Sequence, residues 1–258
     1  MIIDNSLLSK KICKQASSLK SWSLQWKTGI YPSEMAFYLG CCSFFETKTI
    51  VESGRGPDAY STFCLGNYAT GLPDISVESF DFSPINNHHY GDILSKFDSV
   101  NFYDGDIFKI LPQFLKNFKR GLSFIIDGPK DELAVDLGLS LISFFKPTFI
   151  AFHNMKKGSK FLDYFHKNGF QSIHFEDLDL ENYNAWKDFR EYESSLLSGL
   201  SLNRSFSESS LVIVVPNYQV CSFDSTIRSK AVTKYWEKSA SSIFYRYFKN
   251  YKRACLLP

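Results

Sequence analysis

The chain has 258 residues, of which 44% are hydrophobic and 22% are charged, and its formal net charge at pH 7 is +2. This length and apolar content are enough for a sizeable core in one or two domains, and the small net charge indicates no particular class of partner. No apolar run has the length of a membrane-spanning segment, and the six cysteines lack both a Cys-x-x-Cys pair and metal-ligand spacing, so we expect reduced thiols and a cytoplasmic location.

The first 29 residues combine lysines with leucine, isoleucine and tryptophan, and the run YPSE at 31–34 precedes a further apolar stretch. This pattern indicates one or two helices at the start of the chain. We therefore expect residues 1–45 to form cap helices ahead of the main domain.

A strand pattern at 49–51 leads directly into the run ESGRG at 52–56. Glycines permit a tight turn whose N–H groups approach a ligand, while an acid at the strand tip suits a neutral or cationic ligand better than a pyrophosphate. The fingerprint of NAD-binding proteins requires a third glycine at the position of Ala59. The run therefore favours a cofactor other than a dinucleotide.

Four more strand patterns follow, and each ends in polar residues. They cover residues 74–82 with Asp81 near the end, 99–103 followed by Asp106, 121–126 followed by Asp127, and 147–152 followed by His153. A helix pattern at 132–145 separates the last two strands. Alternating strands and helices with polar strand tips are typical of an open parallel sheet, whose ligands bind above the carboxyl ends of the strands.

Two further strands are predicted at 169–175 and 211–216, on either side of a polar, partly helical insertion around residues 183–200. With this final pair, residues 30–218 resemble class I S-adenosylmethionine-dependent methyltransferases. The runs YPSE at 31–34 and DGPK at 127–130 lean toward the branch of catechol-type O-methyltransferases and cephalosporin-hydroxylase-like proteins. The resemblance implies an α/β, three-layer, Rossmann-like methyltransferase fold over residues 46–222. Its seven-stranded sheet is expected to be mostly parallel, with an antiparallel last strand and helices on both faces.

The cofactor implied by this resemblance is S-adenosyl-L-methionine. Asp81 is expected to bind the ribose hydroxyls, and Glu78 on the same strand is the alternative because the strand end is not fixed to within a residue or two. Asp106 and the backbone N–H of Ile107 are expected to contact the adenine. The full expected cofactor-binding set is Glu52, Gly54, Gly56, Ser61, Asp81, Asp106 and Ile107.

The activity implied is methyl transfer to a small acceptor, such as a hydroxylated metabolite or a sugar. His153 is the candidate general base, because a neutral imidazole titrates near the working pH, although a purely structural imidazole at a strand end fits the sequence equally well. Asp127 is expected to hold the acceptor or the cofactor, and Lys130 to neutralise an acidic acceptor.

The resemblance also raises the question of a metal. Metal-dependent members of the catechol-type branch carry an acid after the fourth strand and an Asp-Asn pair after the fifth. Asp127 and Asn154 match the first and last of these positions, but His153 replaces the middle acid. Because hard divalent cations prefer oxygen ligands, a divalent metal is not the favoured expectation.

The last segment, residues 223–258, is rich in basic and aromatic residues and predicts a helical extension. Packing on the domain, or on a second copy to give a homodimer, is the favoured interpretation. Nucleic acid is a less favoured partner, and an anionic membrane surface is a further alternative. Two other functions stay open: a methyltransferase that binds nucleic acid through the tail, and a non-catalytic protein that keeps the fold for interactions.

Overall fold

A computed structural model describes residues 3–22, 29–56, 58–87, 91–111, 121–128, 131–155, 157–167, 169–199 and 210–217. The predicted extension at 223–258 and Lys130 lie outside these residues. The described part of the chain contains seven strands, which are β1 (Thr49–Ser53), β2 (Ser76–Asp81), β3 (Val100–Asp104), β4 (Leu122–Ile126), β5 (Phe149–Phe152), β6 (Gln171–His174) and β7 (Val212–Val215).

The seven strands form one sheet in the order β3-β2-β1-β4-β5-β7-β6. The first five strands are parallel, with β1 at the centre between β2 and β4. Strand β7 is antiparallel to both of its neighbours, β5 and β6. The mostly parallel sheet with an antiparallel last strand, predicted from the sequence, is confirmed.

Helices connect most of the strands. They are α1 (Asn5–Ser21), α2 (Pro32–Phe44), α3 (Tyr60–Thr70), α4 (Gly91–Leu94), α5 (Ile107–Ile110), α6 (Asp131–Phe145), α7 (Lys160–Lys167) and α8 (Asn184–Gly199). Helix α2 begins with Pro32 in its first turn, where a missing N–H costs no hydrogen bond. Within the described residues, no helix combines the length and the apolar character needed to cross a membrane.

Side chains that alternate along the strands feed two hydrophobic cores, one on each face of the sheet. Ile50 points into the core formed with α1, α2, α3 and α8, whereas its neighbour Val51 points into the core formed with α5, α6 and α7. The predicted three-layer arrangement, with helices on both faces, is thereby confirmed. Helices α1 and α2, which occupy the region where cap helices are expected, share one continuous core with the sheet.

Candidate active site

The carboxyl ends of β1, β2, β4 and β5 meet at one edge of the sheet because these strands are parallel neighbours. The turn after β4 is attached to the tip of β1. The carbonyl oxygen of Ser53 accepts hydrogen bonds from the N–H groups of Asp127 at 2.8 Å and Gly128 at 2.9 Å. The sequence-predicted residues after β1, β2, β4 and β5 therefore lie along a single edge, as ligand binding in an open parallel sheet requires.

The loop after β1 contains two glycines with different surroundings. Gly54 has a φ of +90°, and a Cβ atom at this position would lie 2.7 Å from the backbone nitrogen of Gly128. Gly56 has a φ of +66°, and a Cβ atom there would meet no heavy atom within 4 Å. Gly54 thus permits close packing of the β1 and β4 loops, whereas Gly56 adjoins open space that a ligand could use.

Glu52, at the fourth position of β1, is almost completely buried. Its carboxylate accepts hydrogen bonds from three hydroxyl groups: Ser61 at 2.5 Å, Thr62 at 2.6 Å and Ser79 at 2.5 Å. Burial raises the pKa of Glu52, and these three hydrogen bonds oppose the rise. The group ties β1 to the start of α3 and to β2.

The roles of Glu52 and Ser61 as cofactor contacts stay predictions, and the geometry gives both a place in the fold. Both side chains are buried and are hydrogen-bonded to each other. The physical reason is the two-residue alternation of a strand, which turns Glu52 to the same face as Ile50, toward α3.

Asp81 is the last residue of β2 and is partly exposed. Its Oδ2 accepts a hydrogen bond from the backbone N–H of Arg55 at 2.6 Å, and its Oδ1 accepts one from the N–H of Ser83 at 2.8 Å. The carboxylate is therefore joined directly to the glycine loop of the neighbouring strand. Each oxygen keeps a second lone pair for a further donor.

Glu78, the alternative acid on β2, lies three residues before the strand end and faces β3. Its carboxylate accepts hydrogen bonds from Tyr103 Oη at 2.9 Å and Asn101 Nδ2 at 3.2 Å. Burial raises the pKa of Glu78, and these two hydrogen bonds oppose the rise. Of the two acids, only Asp81 lies at the tip of the strand.

The turn after β3 lies beside Asp81. The N–H of Gly105 donates to the carbonyl oxygen of Asp81 at 2.7 Å. Asp106 comes next and is partly exposed. The side chain of Ile107, the first residue of α5, is buried in the core that also contains residues of α6. The positions expected to contact adenine are thus next to the acid expected to contact ribose.

Arg55, between the two glycines, was missed by the sequence reasoning. Its guanidinium group is buried and donates to the carbonyl oxygens of Ser79 and Ser83, both at 2.9 Å. It also forms an ion pair with Asp104 at the end of β3, with an N–O distance of 2.7 Å. The available signal was a charged residue inside a run of small residues.

The tips of β4 and β5 carry a chain of ionisable groups. His153 Nδ1 is hydrogen-bonded to Asp127, and His153 Nε2 lies 3.4 Å from the carboxylate of Glu34. The side chains of His153 and Glu34 are buried, and Asp127 is only slightly exposed. Burial alone would lower the pKa of His153, but its contacts with Asp127 and Glu34 outweigh this effect and raise the pKa to about 9.

The sequence leaves His153 open as a general base or as a structural imidazole, and its contacts favour the second of these. An imidazole with a pKa near 9 is protonated at neutral pH, and both of its nitrogens face carboxylates. A general base must instead have a free lone pair at the working pH. The structure therefore gives His153 the position of a buried cation that holds Asp127.

Glu34 was also missed as a site residue. It belongs to the first turn of α2, where its Oε2 accepts a hydrogen bond from the N–H of Tyr31 at 2.9 Å. Its Oε1 accepts another from the N–H of Ser210 at 2.8 Å, just before β7. Through Glu34, the tips of β4 and β5 are joined to α2 and to the start of β7.

Asn154, the other position compared with metal-dependent proteins, is exposed and has a φ of +63°. Its Oδ1 accepts a long hydrogen bond of 3.5 Å from the hydroxyl group of Ser210. Among the residues that the structure describes, no group of three or more His, Cys, Asp or Glu side chains is arranged to hold a metal ion.

A cavity of about 420 Å³ opens at the opposite edge of the sheet, near the amino ends of β1 and β2. Thr47, Lys48 and Ile75 are among the residues that line it. It is therefore separate from the strand tips described above.

No family model matches the sequence, and no curated protein matches it. Solved structures with a similar fold include the SAH-bound methyltransferase PaMTH1 of Podospora anserina, at 10% identity over 80% of this chain and 88% of that chain, with a TM-score of 0.43. A putative O-methyltransferase from Klebsiella pneumoniae has 11% identity over 80% and 90%, with a TM-score of 0.45. An O-methyltransferase from Bacillus cereus in complex with SAH has 14% identity over 80% and 90%, with a TM-score of 0.44. At these identities the likeness concerns the fold alone.

Proposed function

We propose that the protein is an S-adenosylmethionine-dependent methyltransferase that acts on a small hydroxylated acceptor, such as a metabolite or a sugar. The observation that carries the proposal is the hydrogen bond between the glycine loop after β1 and Asp81 at the tip of β2. A nucleoside lying over this loop would present its ribose hydroxyls to a carboxylate, which binds hydroxyl donors well and repels phosphate. This pairing favours a cofactor without phosphate groups.

The residues of this edge fit such a cofactor. Asp81 would bind the ribose through the lone pairs that its two backbone hydrogen bonds leave over. The open space beside Gly56 would accept the methionine portion, and Asp106 with the N–H of Ile107 would contact the adenine. When bound, S-adenosylmethionine supplies an electrophilic methyl group on its positively charged sulfur.

The acceptor is proposed to bind at the tips of β4 and β5, next to the glycine loop. In this proposal Asp127 accepts a hydrogen bond from the acceptor hydroxyl, orients its oxygen and takes up its proton when the oxygen is methylated. The protonated His153 fixes the Asp127 carboxylate, and Glu34 compensates the second charge of the imidazolium ring. Most of the rate enhancement is expected from alignment of the acceptor oxygen with the methyl group and sulfur. Lys130, three residues after Asp127 in the sequence, is proposed to neutralise an acidic acceptor.

Methyl transfer is proposed to need no divalent metal. A magnesium site built on Asp127 would require its oxygens to face the ion, whereas Asp127 is hydrogen-bonded to His153. The positive charge that a cation would bring to this carboxylate is already supplied by the imidazolium. The acceptor hydroxyl would therefore be oriented by protein groups alone.

The proposal is tested by calorimetric titration of the full chain with S-adenosylmethionine and, in parallel, with NAD. We expect S-adenosylmethionine to bind and NAD to bind far more weakly. Transfer of a labelled methyl group to a panel of hydroxylated acceptors then tests catalysis. Binding of NAD alone would overturn the cofactor assignment, and cofactor binding with no transfer to any acceptor would favour the non-catalytic alternative.

A further inference from the structure

Arg55 connects three neighbouring strand tips although it lies in a loop. Its backbone N–H is bonded to Asp81, and its side chain reaches past Asp81 to Ser79 and Ser83 on the chain around the end of β2. The same guanidinium group ends against Asp104 on β3. Its side chain is fully buried, so its contacts with the two carbonyl oxygens are screened little by solvent, whereas the carboxylate of Asp104 is exposed.

The chemistry of these contacts calls for arginine in particular. A guanidinium group presents several N–H donors in one plane, so it can reach two carbonyl oxygens and a carboxylate at once, whereas a lysine ammonium group is a single point charge. The guanidinium group also lies 5.8 Å from the centre of the Phe102 ring. This distance allows a cation–π contact that fixes its plane.

The contacts surround the Asp81 carboxylate on both sides. Arg55 supplies the N–H that binds Oδ2, and its side chain binds the carbonyl oxygen of Ser83, whose own N–H binds Oδ1. Both donors that orient the carboxylate are therefore held by one residue. Movement of the Arg55 side chain would release the two backbone groups together.

We propose that Arg55 is the positioning residue that makes this site selective for a ligand with an intact ribose 2′,3′-diol. It acts through Asp81, by holding the carboxylate so that each oxygen offers one lone pair to one ribose hydroxyl. The inference rests on the proposed function, because it assumes that an adenosine-containing cofactor lies over the glycine loop. It adds that the selectivity between ribose and deoxyribose is set by a buried side chain of the loop itself.

The experiment compares two ligands, S-adenosylhomocysteine and its 2′-deoxy analogue, by calorimetric titration. The wild-type chain is expected to prefer the diol by about tenfold or more, because a site built to bind a hydroxyl group leaves its acceptor unpaired when that hydroxyl is missing. The Arg55→Met variant is expected to lose most of this preference. Its affinity for the 2′-deoxy analogue should fall by a smaller factor than its affinity for S-adenosylhomocysteine, because the analogue makes only one of the two hydroxyl contacts that Arg55 positions.

Arg190→Met is the matched control. Arg190 also pairs with a carboxylate, that of Glu193, and its guanidinium carbon lies 5.9 Å from the centre of the Trp186 ring. It belongs to α8, so its loss should leave the preference for the diol unchanged. If Arg55→Met does not fold, Asp104→Asn replaces it, because Asp104 is exposed and the change removes only the ionic partner of Arg55. A smaller loss of preference in the same direction is then expected.

The outcomes separate the two proposals. Equal weakening of both ligands in Arg55→Met, or in Asp104→Asn where that variant replaces it, would show a general structural role and overturn the inference about Arg55. A wild-type chain that binds both ligands equally would also overturn it, because no selectivity would then need an explanation. A wild-type chain that binds neither ligand would instead refute the proposed function.

Discussion

The ionisable group formed by Glu34, His153 and Asp127 predicts how the free energy of unfolding depends on pH. The pKa of this imidazole is about 9 in the folded protein and 6.5 in its unperturbed state. Because the folded value is the higher one, the stabilisation is complete below pH 6.5 and is lost as the pH rises through 9. The free energy of unfolding should therefore fall across this interval.

The size of the effect follows from the two pKa values. A difference of one pKa unit corresponds to about 1.4 kcal/mol, so protonation of His153 contributes about 3 kcal/mol at pH 6.5 and below. His153 is buried, so little of this is expected to be lost to solvent screening. A decline of this size is a large part of the stability of an ordinary domain.

The assay is urea unfolding of the wild-type chain and of His153→Gln between pH 6 and 9.5. The variant should be less stable at pH 6.5, and its stability should fall less than that of the wild type as the pH rises. Buried thiols also lower the free energy of unfolding at alkaline pH, because burial raises the pKa of Cys13 to about 11 and that of Cys42 to about 12. Because both chains contain these thiols, the difference between the two curves isolates the imidazole.

His174→Gln provides the matched control for a buried histidine. Burial lowers the pKa of His174, so this ring is neutral in the folded protein above pH 6.5 and contributes no decline there. The control variant should keep the full wild-type decline. Parallel curves for the wild type and His153→Gln from pH 6.5 to 9 would refute the argument that the two carboxylates hold a proton on His153.

Three further predictions concern the cofactor edge. Asp81→Ala should weaken S-adenosylmethionine binding at least about tenfold in calorimetric titration, because it removes a charged acceptor. Glu78→Ala should change this affinity little. The reverse result would show that Glu78, and not Asp81, binds the ribose. In urea unfolding, Gly56→Ala should cost about 1 kcal/mol for its positive φ, and Gly54→Ala should cost about 1–3 kcal/mol more because its methyl group meets the backbone of the β4 turn at 2.7 Å. Equal costs would contradict the close approach. Methyl transfer should persist in excess chelator, and activity abolished by chelator and restored by magnesium would show that the site holds an ion.

The strand tips could be predicted from the sequence because each is a local pattern, an apolar run followed by polar residues. The choice between Glu78 and Asp81 could not be made in this way. Both lie on one short strand, and only the structure shows that Glu78 is bonded to Tyr103 and Asn101 of β3 while Asp81 ends the strand. The inward orientation of Glu52 was accessible in principle, because strand alternation places it on the same face as the buried Ile50.

Arg55 and Glu34 could not be identified because their decisive partners are distant in the chain. Glu34 lies in a run that reads as an ordinary helix start, and it does bond to the N–H of Tyr31 at that start. Its second partner, Ser210, is 176 residues away. A sequence pattern describes neighbours along the chain, whereas a buried carboxylate recruits whichever donors the fold brings to it.

The order of the last two strands has a consequence for folding during synthesis. Strand β6 is made before β7 but joins the sheet only through it. Once residue 152 has left the ribosome, the five parallel strands are complete, yet one backbone edge of β5 stays unpaired until residues 212–215 follow. An open strand edge can pair with other chains, so the nascent protein passes through an aggregation-prone interval that ends when β7 closes the edge and brings β6 with it.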